Sequence, residues 1–328
     1  MKKTKIFLVI LCLFACIASS FVFGARYVSI ESVIEILGNP EMDTFEALVV
    51  KERIPRTIFA LIAGASLAVS GTLMQSVTRN PIADPSILGI NTGASLAVVM
   101  GIAFLGINTY KQYIVLALIG AVLTSALVYF VASLGAGGMS PIKLALSGVI
   151  ISALLSSMVS IIMLPRSEVV RDFRFWQIGG VGGAGWEEIT AALPVIIIGF
   201  ILSIAIAPSL NALALGEDVA TGLGVNVGLT RLVSSTAAIM LCATVTALAG
   251  PIGFIGLMAP HMIRMLFGNN IRFLIPVSAL TGAILLTFSD VVGRLVAYPG
   301  ELDVGVVTAF IGAPIFILIA MKAKVRSL

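Results

Sequence analysis

The feature that most constrains this chain is a succession of long apolar runs separated by short stretches that contain charge, Pro or Gly. A helix of about 20 apolar residues spans the hydrocarbon core of a bilayer. Charged residues make up only 11% of the chain and hydrophobic residues 59%, a balance that excludes an ordinary soluble domain. The alternating polar and apolar segments of a transmembrane barrel are missing from the sequence. The pattern therefore predicts a multi-pass helical protein of the cell membrane.

The apolar runs predict about ten spans in one all-α transmembrane domain that covers residues 1–328. The predicted spans are residues 6–24, 55–77, 86–106, 113–135, 141–164, 189–207, 231–249, 252–267, 273–297 and 304–321. The first run is predicted to remain as an uncleaved helix, because it continues without a break past Cys16. The eighth run is short and follows Gly250-Pro251, which indicates a half-helix or a re-entrant segment.

The distribution of Lys and Arg predicts the orientation of the chain. With the N-terminus in the cytoplasm, eleven basic residues fall inside and nine outside, a weak bias in the usual direction. The Lys-rich start and the basic tail at residues 322–326 both predict cytoplasmic termini. The three longest connections are then residues 25–51 and 166–188 outside the cell and residues 208–230 in the cytoplasm.

The cytoplasmic connection has the composition of a docking element. It is predicted to form two short helical pieces broken by Gly222 and Gly224, with two adjacent acids among small residues. A plain loop of this length is the alternative, but loops in compact membrane proteins are usually short, which favours docking to a partner protein. The predicted docking residues are Gly216, Glu217, Asp218, Ala220, Gly222 and Gly224.

Asp290 is the one acidic residue inside a predicted span. Arg294 follows it by four residues, so both side chains lie on one helix face and are predicted to form a structural ion pair. Because an ionisable group within the membrane is often functional, the alternative is a proton-relay carboxylate.

Arg53 and Arg56 open the second span on the outer face, against the usual charge bias. Together with Arg294 at the same level, they are predicted to present exposed guanidinium groups to carboxylates of an extracellular partner. The alternative is interaction with lipid headgroups at the interface.

Catalytic and cofactor signatures are missing from the sequence. It contains no phosphate-binding loop of the Gly-x-x-x-x-Gly-Lys-Ser/Thr type, no His-Glu-x-x-His and no Gly-x-Ser-x-Gly. His261 is the only histidine, which argues against a His-built metal site. We therefore expect no enzyme activity, metal site or cofactor in this chain and no nucleic-acid partner. If ATP drives the protein, another chain must bind it.

Several motifs occur in a specific order along almost the whole chain. They are Arg53-Ile54-Pro55-Arg56-Thr57, Gly64-Ala65-Ser66-Leu67-Ala68-Val69-Ser70-Gly71, Arg79-Asn80-Pro81-Ile82-Ala83-Asp84-Pro85, Leu88-Gly89, Leu215-Gly216-Glu217, Gly253-Phe254-Ile255-Gly256-Leu257, Pro260-His261 with Arg264, Ala283, Asp290 and Arg294, Glu301, Gly305, and Gly312-Ala313-Pro314. In these motifs the sequence resembles the FecCD-type permeases of iron-siderophore, haem and vitamin B12 ATP-binding-cassette (ABC) importers.

The resemblance implies a ten-helix subunit that pairs with a second permease, either another copy or a related chain, around a central pathway for a ferric chelate. Two cytoplasmic ATPases, which bind ATP and Mg, are expected to dock on residues 216–224. A substrate-binding protein, extracellular or lipid-anchored, is expected to meet Arg53, Arg56 and Arg294.

One stretch of small and polar residues has two possible uses, lining the pathway or packing helices together. Gly89 and Gly93 form a Gly-x-x-x-Gly pair, which favours packing. The stretch comprises Gly89, Asn91, Thr92, Gly93 and Ser95.

Two other classes of membrane protein are alternatives to an importer subunit. An ion-coupled secondary transporter would use Asp290 as its coupling site. An intramembrane enzyme would need polar catalytic groups that converge at one depth, and the predicted spans do not offer them.

Overall fold

A computed structural model describes residues 2–39, 41–134, 140–183, 185–298 and 300–322. These residues form helices joined by short connections. The α-helices are α1 Lys2–Val22, α2 Ile30–Gly38, α3 Phe45–Thr78, α4 Ile90–Leu105, α5 Tyr110–Ser133, α6 Pro141–Met163, α7 Ser167–Ile178, α8 Trp186–Leu213, α9 Glu217–Gly222, α10 Val227–Ala249, α11 Ile255–Phe267, α12 Ile271–Val296 and α13 Val304–Lys322, with a 3₁₀ helix at Pro85–Leu88.

Each of the ten predicted spans coincides with a helix, so the all-α membrane fold is confirmed. Among the residues that the structure describes, seven helices are long and apolar enough to cross a bilayer, and α4, α11 and α13 supply three shorter apolar helices. The eighth span is α11, whose 13 residues extend about 20 Å, less than the hydrocarbon core of about 30 Å. This length agrees with the expectation of a half-helix.

The boundary of the second span was predicted too late. The α3 helix begins at Phe45 rather than at residue 55, because Thr44 accepts a hydrogen bond from the Ala47 backbone N–H and caps the helix start. Pro55 lies inside this helix without ending it. The outer connection at residues 166–188 likewise contains a helix that the sequence did not predict, α7.

Burial divides the helices into an inner and an outer group. The helices α3, α10 and α12 are mostly buried, whereas α1, α5, α6 and α8 expose most of their apolar length. Large apolar side chains such as Phe14, Phe130, Ile161 and Ile204 point outward. In a chain of this composition such outward apolar faces contact lipid.

Glycine brings the inner helices into backbone contact. Gly64 of α3 lies against the Gly282 carbonyl of α12, and Gly71 lies against the Gly256 carbonyl of α11. A Cβ atom on Gly64 or Gly71 would overlap these carbonyl groups. Small residues of this kind permit close helix packing where lipid provides no hydrophobic drive for association.

The start of the chain lies beside a predicted cytoplasmic helix end. The ammonium group of Lys5 donates a hydrogen bond of 2.9 Å to the Leu266 carbonyl near the end of α11. With the orientation predicted from charge, α9 lies on the same cytoplasmic face, and α2 and α7 lie on the outer face. The basic tail used for that prediction lies outside the described residues from residue 323 onward.

Candidate functional site

A charged network at the outer end of α12 is centred on Asp290. Its carboxylate accepts hydrogen bonds from Arg56 Nη2 at 2.7 Å and Arg56 Nε at 3.1 Å, and it lies 3.0 Å from Arg294 Nη2. Asp290 is 1% exposed, so the carboxylate is buried between the two guanidinium groups. The predicted pair with Arg294 is present, but Arg56 of α3 is a further partner that the sequence did not indicate.

Arg56 also connects this buried carboxylate to the surface. Its Nη1 donates to Glu301 Oε2 at 2.6 Å, and Glu301 lies in the connection between α12 and α13. Glu301 is 40% exposed and Arg56 is 19% exposed. Arg56 therefore bridges one buried and one surface carboxylate.

Arg53 and Arg294 are buried, contrary to the prediction of exposed guanidinium groups. Arg53 donates to the backbone carbonyls of Phe21, Val22 and Arg26. Arg294 donates to the Ser20 carbonyl at 3.1 Å and to the Ser20 hydroxyl at 2.9 Å.

The physical reason is the end of α1 at Val22. The last four carbonyls of a helix have no partner within the helix and carry the negative end of its dipole. Two guanidinium groups satisfy this end, so their charge is used inside the protein.

A cleft of about 380 Å³ opens above this network. Its lining residues are Ala25, Arg26, Phe45, Val49, Glu52, Arg53, Arg56, Gly182, Arg294 and Glu301. Arg26 is exposed at the rim, where its Cζ lies 4.6 Å from the centre of the Phe45 ring. Sequence reasoning assigned no site role to Arg26 or Glu301. The only signal for such a role in the sequence is that Arg26 and Glu301 are charged residues in the outer connections.

Gly179 and Gly180, which follow α7 in the outer connection at residues 166–188, lie beside Asp303 and the start of α13. A Cβ atom on Gly180 would lie 2.6 Å from Asp303 Oδ1. Burial raises the pKa of the Asp303 carboxyl, and the nearby Arg56 charge opposes this effect. The backbone N–H of Gly305, at the start of α13, donates to the Gly179 carbonyl at 2.9 Å. These contacts join the outer connection that contains α7 to the start of α13.

At the cytoplasmic end, the predicted docking segment contains one short helix rather than two. Gly216, with φ of 125°, precedes α9, and Gly224, with φ of 81°, follows it. Both values lie in a region that glycine adopts without strain. The second predicted piece is the start of α10 at Val227, and Ala220 packs inward with no exposed surface.

The two acids of this segment have different surroundings. Glu217 Oε1 lies 2.6 Å from Arg231 Nη2, and the Arg231 side chain is only 9% exposed. This pair ties the start of α9 to the first turns of α10. Asp218 is exposed on the neighbouring position of α9. Arg231 was placed in the cytoplasm by the sequence but was not predicted as part of this site.

An apolar edge lies beside these acids. Leu215, Val219 and Leu223 are 67%, 48% and 63% exposed. Val219 and Leu223 are four residues apart, the spacing of one helix face. We call these three residues the α9 apolar edge. In the orientation predicted from charge, α9 connects two spans on the cytoplasmic side, so we expect this edge to face water rather than lipid.

The small residues at the start of α4 contact neighbouring helices. A Cβ atom on Gly93 would overlap the Gly120 carbonyl and the Thr124 side chain of α5. Gly89 adopts φ of 71° and also lies against Thr124. The Gly-x-x-x-Gly pair thus faces α5, as expected for a packing role.

The polar members of this stretch have hydrogen-bond partners. Thr92 donates to the Gly89 carbonyl at 3.1 Å, and Ser95 donates to the Asn91 carbonyl at 2.8 Å. The Asn91 side chain accepts a hydrogen bond of 3.1 Å from Thr246 of α10. These contacts hold the stretch within the helix bundle.

Within the described part of the chain, no group of three or more His, Cys, Asp or Glu side chains is placed to hold a metal ion.

Comparison with known proteins supplies the family. The profile of the FecCD transport family matches residues 10–322. The chain is 39% identical over 313 residues to the ferric enterobactin transport system permease protein FepD of Escherichia coli, covering 95% of this chain and 93% of that protein. It is 43% identical over 272 residues to the Fe(3+)-citrate import system permease protein YfmD of Bacillus subtilis, covering 83% of this chain and 80% of that protein.

A solved structure gives the same result for the fold. It is described as a metal-chelate type ABC transporter in an inward-facing conformation, and the match has a TM-score of 0.85 at 28% identity, covering 98% of this chain and all of that one. The chain therefore belongs to the FecCD transport family and is a multi-pass permease of the ABC importer type.

Proposed function

We propose that this permease imports an iron(III)-siderophore-type chelate, which a substrate-binding protein delivers at the outer face and two cytoplasmic ATPase subunits drive through the membrane. A second permease subunit, identical or related, completes the pathway. The names of two similar proteins support the substrate class, since one relative acts on ferric enterobactin and the other on ferric citrate.

The observation that carries the proposal is the α9 apolar edge on the cytoplasmic face. Val219 of α9 and the flanking Leu215 and Leu223 are large, exposed apolar side chains, and their exposure to water is unfavourable unless a partner protein covers them. The sequence contains no phosphate-binding loop of its own, so ATP that drives transport has to be bound by a separate chain. An ATPase that covers this edge accounts for both features.

The outer cleft supports the other half of the proposal. Arg26 and part of Arg56 are accessible at its rim, and guanidinium groups form strong, directional pairs with carboxylates. A binding protein with acidic residues on its docking surface matches this chemistry. Arg53 and Arg294 contribute indirectly, because they hold the end of α1, which is followed in the chain by Ala25 and Arg26 of the cleft lining.

The alternative of an ion-coupled transporter would use Asp290. A coupling carboxylate must exchange protons with alternating sides of the membrane. Asp290 is buried and paired with two guanidinium groups, and removing one partner of such a network typically costs about 3–5 kcal/mol. The geometry therefore favours a structural role for Asp290.

Transport in a defined membrane tests the proposal. The tagged protein is purified from its native membrane in mild detergent, the copurifying chains are identified, and the complex is reconstituted in proteoliposomes. We expect an ATPase and a second permease copy or related chain to copurify, and uptake of a radioactive ferric chelate to require ATP and the binding protein. Uptake that follows a proton gradient in the absence of ATP would contradict the proposal and favour the Asp290 alternative.

A further inference from the structure

We propose that Glu301 is an internal competitor at the outer docking surface, so that docking exchanges Glu301 for a carboxylate of the binding protein at Arg56. The inference rests on the proposed docking of a binding protein at the outer cleft and specifies how that docking occurs. It assigns to Glu301 a role in the strength and specificity of docking.

The first step is that Arg53 and Arg294 are not available to a partner. Arg53 uses its guanidinium on three backbone carbonyls around the end of α1, and Arg294 uses its own on Ser20 and Asp290. Turning either side chain outward would leave buried acceptors without partners, which is strongly unfavourable. Of the three arginines that the sequence placed at the docking surface, Arg56 is the most accessible, at 19% exposed against 6% for Arg53 and 2% for Arg294.

The second step is that Arg56 has two different edges. Its Nε and Nη2 both pair with the buried carboxylate of Asp290, which orients the guanidinium group. Its Nη1 points to Glu301 at 2.6 Å, and Glu301 is at the cleft. A carboxylate that arrives through the cleft therefore meets the edge that Glu301 already occupies. Two carboxylates beside one Nη1 would repel each other, so the arriving group replaces Glu301.

The third step is that Glu301 can leave whereas Asp290 cannot. Glu301 is 40% exposed and lies in a connection between helices, so its carboxylate returns to water when it is displaced. Asp290 is 1% exposed and keeps Arg56 in place during the exchange. An exchange of this kind yields little net gain per ion pair. It keeps docking reversible and disfavours partners whose carboxylates do not match the position of Arg56.

Glu52 provides a matched control because it lines the same cleft, one helical turn before Arg56, and is exposed. Glu301→Gln and Glu52→Gln remove the same charge and nearly preserve side-chain volume. Of these two glutamates, only Glu301 accepts a hydrogen bond from Arg56 in the part of the chain that the structure describes.

The experiment measures the affinity of the separately purified substrate-binding protein for wild-type importer and for the two variants, each as the full complex in lipid nanodiscs, by biolayer interferometry. We expect Glu301→Gln to bind about two- to fivefold more tightly, the range for removal of a partly exposed competing pair, and Glu52→Gln to change affinity less. Thermal unfolding of each variant reports whether the fold is intact.

Two results would overturn the inference while leaving the proposed function in place. One is weaker binding by Glu301→Gln, which would mean that Glu301 supports the docking surface rather than competes at it. The other is an equal gain in both variants, which would mean that only the general charge of the cleft matters. Absence of binding by all three proteins, wild type included, would instead reject the proposed docking itself.

Discussion

The two ends of this bundle carry charged residues that serve different purposes. At the outer end, Arg53, Arg56 and Arg294 are bonded mainly to groups of the same chain, and little of their charge reaches solvent. At the cytoplasmic end, the α9 apolar edge is open, and Glu217 is tied to Arg231. The three outer arginines thus already have hydrogen-bond partners within the chain, whereas the side chains of the α9 apolar edge are exposed.

This difference shows that the type of a residue does not indicate a docking surface unless its side chain is also exposed. Three arginines near one membrane face suggest a docking surface in the sequence, but two of them cap the end of α1. Exposed apolar side chains on and beside a short helix outside the predicted spans are the stronger sign of a partner, because their exposure to water is unfavourable until another protein covers them.

The largest effect is expected on stability, at the buried outer network around Asp290. Asp290→Ala leaves Arg56 and Arg294 without their shared carboxylate, and we expect a loss of about 3–5 kcal/mol in the free energy of unfolding. Thermal unfolding in detergent measures the change. Asp43→Ala, which removes an exposed acid of the outer connection, serves as the control. Equal stability of the two variants would show that the outer network is not structural.

The second effect is expected on ATP-dependent uptake, at the exposed α9 apolar edge. Val219→Glu places a charge in the α9 apolar edge, and we expect ATP-dependent uptake to fall by about tenfold or more, since a charge buried in an interface without a partner is strongly unfavourable. Thr221→Glu adds the same charge two residues further on, toward the opposite side of α9, and should retain most of the uptake. If both variants transport equally well, the apolar edge is not the ATPase contact.

The smallest effect should come from the pair that positions α9. Glu217→Gln and Arg231→Gln are each expected to reduce coupling of ATP hydrolysis to uptake by a few-fold, because the start of α9 is no longer held against α10. The double variant should be no worse than Arg231→Gln alone, since that variant already lacks the shared pair and Glu217→Gln removes nothing further. Additive losses in the ratio of uptake to ATP hydrolysed would mean that Glu217 contacts the ATPase directly.

The sequence by itself determined the membrane environment, the ten helical segments and the position of the connection at residues 208–230, which we propose as the docking segment. These features depend on the length of apolar runs and on breaks at Gly and Pro, which are local properties of the chain. The pair of Asp290 with Arg294 was also predictable, because four residues on one helix bring them together.

Only the tertiary structure decided which charges are available. Arg56 meets Asp290 and Glu301 across 234 and 245 residues of sequence, and Arg53 reaches carbonyls about thirty residues earlier in the chain. No local sequence pattern predicts contacts between residues so far apart in the chain. The packing of α1, α3 and α12 sets them, and this packing turns two predicted surface arginines into helix caps and leaves Glu301 at the opening of the cleft.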